Sequence, residues 1–222
     1  MKFYKAQTNG NDFVIIETLS NKIVTQLADR KYGIGCDQVI LLKQDNNQYM
    51  IDFFNQDGSY AKMCGNGSCA VALLISRKFQ TNDIILNICD KSYPVHVENN
   101  SVTLSVPKPT MCDCIINAGN NHIVLDVAEI DNVDNISRNH SECNIHFVKQ
   151  LSKNALRVKT FERGVGWTLA CGSGAIAVGY NSKIEGKITI IQDGGKSIVE
   201  VFENYVNLTT SPKIVFEGEY YE

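Results

Sequence analysis

The chain repeats itself. Residues 53–71, FFNQDGSYAKMCGNGSCAV, lie over residues 160–178, TFERGVGWTLACGSGAIAV, without a gap, so that Phe54/Phe161, Cys64/Cys171, Gly65/Gly172, Gly67/Gly174, Ala70/Ala177 and Val71/Val178 coincide. The offset of 107 residues is close to half of the 222-residue chain. A second echo pairs Gly10-Asn11 with Gly119-Asn120, each followed by an apolar run. Self-similarity of this kind implies two copies of one structural unit. Two of the four prolines cluster in Val106-Pro107-Lys108-Pro109, where proline breaks ladders and stiffens a connector, so the boundary is expected at residues 1–107 and 108–222. The last ten or so residues are free to pack back on the first half.

β-Branched and aromatic runs with partial alternation predict strands at Phe13–Ile16, Val39–Leu42, Tyr49–Phe54, Val102–Val106, Ile123–Val127, Ile188–Ile191 and Ile198–Phe202. A helix is expected just after each Cys-Gly-x-Gly, running to about Lys78 and Lys183, and Ile23, Val24, Leu27 and Ala28 fit one face of another. The expected class is α+β: two pseudo-symmetric β-rich halves, each a mixed sheet wrapped around a central helix, with the active site in the cleft between them.

A net charge of -3 without long like-charge runs disfavours nucleic acid and anionic membranes as partners. No apolar run approaches the roughly 20 residues of a membrane-spanning helix, and the polar N-terminus lacks an export signal, so a cytoplasmic location is expected. Eight cysteines in a chain of this size without a leader are expected to be reduced rather than to form a disulfide framework. No C-x2-C pair exists and the histidines at 96, 122, 140 and 146 show no ligand spacing, so no metal is expected.

The repeated cysteine carries the chemistry. At a helix N-terminus, unpaired backbone N–H groups and the positive dipole end favour anions, and glycine lets a ligand approach the backbone closely. A cysteine there gains thiolate character, and a carboxylate can be cradled by the same amides. Cys64 and Cys171 would thus supply two sulfurs for the two faces of one α-carbon, one removing a proton and the other returning one. The pair would titrate as a coupled unit. A lone Cys-Gly would read as a packing residue; the duplicated context argues against that.

These residues resemble the diaminopimelate epimerase family over nearly the whole chain. Gly10-Asn11-Asp12-Phe13-Val14, Gly33-Ile34-Gly35-Cys36-Asp37-Gln38, Phe54-Asn55-x-Asp57-Gly58, Met63-Cys64-Gly65-Asn66-Gly67, Gly119-Asn120-x-His122, Asn144-x-x-Phe147-Val148, Glu162-Arg163-Gly164-x-Gly166-x-Thr168 and Ala170-Cys171-Gly172-Ser173-Gly174 occur in the family's order. The resemblance implies epimerisation of LL-diaminopimelate to meso-diaminopimelate by paired cysteines, without pyridoxal phosphate or any other cofactor, in a homodimer. It implies that Gly65, Asn66, Gly172 and Ser173 hold the reacting carboxylate. It further implies that Asn55, Asn120, Asn144 and Arg163 grip the distal amino-acid group, and that Asn11 and Gln38 add substrate contacts. Glu162 and His122 match groups that bind the reacting ammonium or assist proton transfer.

The pattern is broken at four places: Cys69 stands where the family has arginine, Trp167 replaces glutamate, Asn121 replaces proline, and Gln7-Thr8-Asn9 replaces His-Gly-Leu. The same residues leave open a racemase for another amino acid, a noncatalytic amino-acid-binding protein, and a thiol-redox protein.

Overall fold

In a computed structural model of the chain, the structure describes residues 1–18, 23–45, 48–130 and 142–221. By their contacts the residues divide into two units, Met1–Leu104 with Ser211–Glu222, and Ser105–Thr210.

The first unit begins with a hairpin. Lys2–Thr8 pairs antiparallel with Asn11–Ile16 around Asn9-Gly10, both at positive φ (52° and 83°), as a two-residue turn that follows the strand twist requires. Lys213–Glu219 covers the other edge of Lys2–Thr8. Asn11–Ile16 runs parallel to Gln38–Asp45, after helix α1 (Ile23–Ala28), and Gln38–Asp45 turns back antiparallel into Gln48–Asn55. Helix α2 (Gly65–Phe79) connects Gln48–Asn55 to the parallel strand Asp83–Ile88, from which Lys91–Glu98 and Ser101–Pro107 continue as antiparallel hairpins. Helix α2 touches Lys2–Thr8, Asn11–Ile16, Asp83–Ile88, Lys91–Glu98 and Lys213–Glu219. A helix contacted by five strands is enclosed, and its whole run from Gly65 to Ile75 is buried.

The second unit repeats that plan. Asn121–Asp126 is parallel to Asn144–Ser152, which turns antiparallel into Ala155–Glu162. Helix α3 (Gly172–Ser182) leads to Lys187–Gln192, parallel to Ala155–Glu162, and Gly195–Val201 and Tyr205–Thr210 follow as antiparallel strands. Thr110–Cys112 and Ile115–Asn117 add a small hairpin beside Asn121–Asp126. Helix α3 is in turn contacted by Asn121–Asp126, Asn144–Ser152, Lys187–Gln192, Gly195–Val201 and Tyr205–Thr210.

The register makes the units comparable residue by residue. Phe13 faces Gln38, and Ile40 faces Phe53, in the first; His122 faces Asn144, and His146 faces Thr160, in the second. The expected α+β class of mixed sheets around central helices is what the structure shows. Each expected strand is present within a few residues, and α2 and α3 end at Phe79 and Ser182, each capped by a left-handed residue, Gln80 and Lys183.

Candidate active site

In both units the sheet brings polar side chains to the end where the helix starts. Cys64 is the N-cap of α2 in extended backbone (φ -138°, ψ 107°), and its Sγ accepts from Gly67 N–H at 3.4 Å. Cys171 caps α3 in the same conformation (φ -129°, ψ 116°), with Gly174 N–H donating to its Sγ at 3.3 Å. An N–H pointed at sulfur from a helix N-terminus stabilises negative charge there. None of the eight cysteines is in a disulfide.

In the first unit Asn11, Gly65 and Asn66 adjoin Cys64, and Gln38 and Asn55 face each other across their strand pair. Asn11 Oδ1 accepts from Cys64 Sγ at 3.8 Å and from Asn66 Nδ2 at 3.5 Å, while its Nδ2 donates to Asp37. Gln38 Nε2 donates to Asn55 Oδ1 at 3.0 Å across the strand pair. Asn66 Oδ1 and Gln38 Oε1 are buried without a hydrogen-bond partner. A buried amide oxygen without a donor costs about 1–3 kcal/mol, so both are suited to a donor brought by a ligand. Thr8, one of the departures from the family pattern, donates to the Asn66 carbonyl at 2.9 Å and so fixes the helix start.

Around Cys171 the set is different. Ser173 Oγ is 3.5 Å from Cys171 Sγ. Asn144 Oδ1 accepts from Arg163 N–H at 2.9 Å, and Glu162 Oε1 accepts from Thr168 Oγ1 at 2.7 Å. The Arg163 guanidinium is exposed, and its ion pair with Glu142 at 3.8 Å is exposed too, so solvent screens it. Asn120 is half-buried two residues ahead of His122, and its carbonyl accepts from Ala118 N–H.

His122 is wholly buried, and burial pushes its pKa down to about 4. Its Nδ1 is 2.8 Å from His146 Nε2, and His146 Nδ1 is 3.1 Å from Thr160 Oγ1. Burial, with His122 adding to it, holds His146 well below the ordinary histidine range as well. No sequence spacing joins these two histidines; the parallel pairing of their strands does. One donor atom each of His122, His146 and Cys171 lies within 4.8 Å of the others. Both His146 nitrogens are engaged in hydrogen bonds, so a metal would have to break a buried network before binding here. His140 lies outside the described residues.

Three further departures from the family pattern have a visible environment. Cys69 is fully buried on α2, where a guanidinium would need a partner. Trp167 packs on Phe161 and Phe147, at ring-centre distances of 5.3 and 5.7 Å, with Lys159 over its face. Asn121 accepts from Asn117 Nδ2 at 3.0 Å.

The fold recurs in proteins of low sequence similarity. A phenazine biosynthesis protein of the PhzF family from Bacillus anthracis superposes with a TM-score of 0.79 at 12% identity, over 100% of this chain and 99% of that one. A hydroxyproline epimerase from Agrobacterium vitis does so with a TM-score of 0.72 at 11% identity, over 98% and 90%. Sequence narrows the class. The family model described as diaminopimelate epimerase matches residues 3–110. The diaminopimelate epimerase of Aquifex aeolicus is 32% identical over 98% of this chain and 97% of its own. That of Flavobacterium psychrophilum is 33% identical over 93% and 92%. The chain belongs to the diaminopimelate epimerase family.

Proposed function

We propose that the protein converts LL-diaminopimelate to meso-diaminopimelate with Cys64 and Cys171 as the two acid-base groups and without a cofactor. The observation that carries this reading is the matched pair of N-capping cysteines, each with a glycine N–H directed at its sulfur in the same position of the repeat. One sulfur, as thiolate, takes the α-proton; the other, as thiol, gives its own to the opposite face. One S–H bond forms and one breaks, so the pair ends each turnover with its roles exchanged.

Charge that builds on the substrate carboxylate as the α-proton leaves is stabilised by the amides of Gly65, Asn66, Gly172 and Ser173. Fixed donors of this kind act most strongly where charge develops. The distal amino-acid group is taken by Asn55, Asn120, Asn144 and Arg163, with the guanidinium forming a forked pair with its carboxylate. Asn11 and Gln38 orient the chain between the two ends, and Glu162 takes the reacting ammonium. The setting is a cytoplasmic homodimer that supplies a precursor for lysine and peptidoglycan.

A racemase of the same family acting on another amino acid is the second reading, favoured by Trp167, whose apolar ring stands where the family carries a glutamate. Incubation of the reduced protein with LL-diaminopimelate, and with a panel of free L-amino acids, in D2O separates the two. Deuterium at Cα confined to diaminopimelate, lost in Cys64→Ala and Cys171→Ala, supports the first reading. Exchange on another amino acid that survives Arg163→Gln supports the second. No exchange on any substrate would end both.

A further inference from the structure

His146, Thr160 and Gln192 are buried polar groups of the second unit to which no role has been given. Their hydrogen bonds fix where each hydrogen sits. Gln192 Nε2 lies 3.4 Å from the Cys171 carbonyl, which can only accept, so this end of the amide is the NH2. The same NH2 reaches Thr160 Oγ1 at 3.3 Å, and the hydroxyl accepts there. The hydrogen of Thr160 then goes to His146 Nδ1, 3.1 Å away. A neutral His146 therefore carries its proton on Nε2 and donates it to His122 Nδ1 at 2.8 Å. His122, also neutral, is left with its proton on Nε2, a buried atom without a partner. The opposite ordering strands two buried groups, the Thr160 hydroxyl hydrogen and the His122 Nε2 lone pair, where this one strands a single N–H.

We propose that His146, Thr160 and Gln192 are positioning residues that hold the proton of His122 on Nε2, so that His122 enters the chemistry as a hydrogen-bond donor and not as a base. The inference rests on the reading of Cys171 as an acid-base group. Cys171 Sγ lies within 4.8 Å of one nitrogen of each ring, and His122 Nε2 makes no hydrogen bond to it, so its N–H acts on a thiolate there as an oriented dipole. A ring with its lone pair on Nε2 would instead compete with the substrate carbon for the proton on sulfur. An N–H donor also repels the substrate ammonium, which leaves that group to Glu162. No covalent bond changes in this role; the ring is an ordered dipole.

Long-range 15N–1H NMR of histidine-labelled protein at neutral pH reads the tautomer directly, with assignments from His122 and His146 variants. The expected result is a proton on Nε2 and an acceptor signature on Nδ1 for both rings. A proton on His122 Nδ1 overturns the proposal. Kinetics supply the second readout. In His146→Gln the amide oxygen can accept from Thr160 while its NH2 donates to His122, whereas His146→Leu removes both bonds. The leucine variant is expected to lose about 10- to 100-fold in kcat with KM changed less than about 2-fold, as for an orphaned buried acceptor, and the glutamine variant to stay within about 3-fold. Equal losses in the two would overturn the proposal. If His146→Leu does not fold, Thr160→Val against Thr160→Ser makes the same comparison. The NMR result does not depend on turnover, so absence of Cα exchange in the unaltered protein would strike the epimerase reading alone.

Discussion

Both helices press a glycine against their own sheet, but onto different chemistry. A Cβ on Gly67 would meet the Phe53 ring at 2.8 Å, with Ile40 and Phe13 next. A Cβ on Gly174 would meet His146, at 2.7 Å from Nε2 and nearer still to Cε1. The strand register puts Phe13, Ile40 and Phe53 of the first unit in the places of His122, His146 and Thr160 of the second. Backbone plan and helix start are shared; the side chains beneath the helix differ. Burying a Phe or Ile contributes about 1.5–3 kcal/mol, whereas a buried polar group costs unless its hydrogen bonds are met. The first unit is therefore built there for stability, and the second has given up part of that stability for an ordered set of protons.

The largest expected effect tests whether the two units are chemically equivalent. On the epimerase reading, Cys64→Ala and Cys171→Ala should each lower turnover of LL-diaminopimelate by at least about 1,000-fold in a stereochemical assay. A large loss in one variant only would break the equivalence.

Acid should then strike the second unit before the first. His122 is held near 4 in the folded state against 6.5 for the free group, mainly by burial. A folded-state pKa below the unfolded one means that the unfolded chain binds the proton first, so the contribution is complete above pH 6.5 and is lost as pH falls toward 4. At about 1.4 kcal/mol per pKa unit this amounts to about 3 kcal/mol, and His146 acts in the same direction. Denaturant titration from pH 7 to 4 should show the loss, and His122→Phe should flatten it.

The glycines give the next contrast. Overpacking costs about 1–3 kcal/mol, so Gly174→Ala should fall near the top of that range and Gly67→Ala near the bottom, each partly offset by about 1 kcal/mol of helix propensity. The reverse order in urea denaturation would mean that the His146 ring moves aside more easily than the phenylalanine.

The smallest effect belongs to the first unit. Burial disfavours the Asp12 carboxylate, but hydrogen bonds from Arg30 and Lys5 outweigh it and bring its pKa from 3.8 to about 2. That contribution is present above pH 3.8 and lost toward pH 2. It should be no more than about 2 kcal/mol, because the Arg30 partner is half-exposed, and Asp12→Asn should remove it from acid-unfolding curves.

The repeat made the fold legible, since an ungapped overlay marks both helix starts and their capping cysteines. Strands with polar or broken patterns were missed. Lys91–Glu98 contains Pro94, which argues against a strand until its exposed position and its partner Ile85 are seen. Asn144–Ser152 and Ala155–Glu162 carry histidine, lysine and arginine among their apolar positions, and Lys213–Glu219 ends in charges. In the site, Asn11, Gln38 and Asn55 were legible as motif residues, but their mutual bonds depend on register. His146 was missed because nothing in its local sequence marks it. A usable signal was present in the overlay: Thr160 lies under Phe53, a polar residue where the other copy is aromatic, and its cross-strand partner is His146.

Trp167 is the chain's single tryptophan. It sits opposite Phe161 on the short strand Gly166–Thr168 that leads into Cys171, across the hairpin that carries Glu162 and Arg163, and the residue is 40% exposed. Emission excited beyond the absorption band of the chain's nine tyrosines therefore comes from one indole at one address. Any change in the hairpin that carries Arg163 will appear in that signal unmixed, so the molecule holds its own optical probe of ligand capture, and affinity can be followed without a label or an added fluorophore.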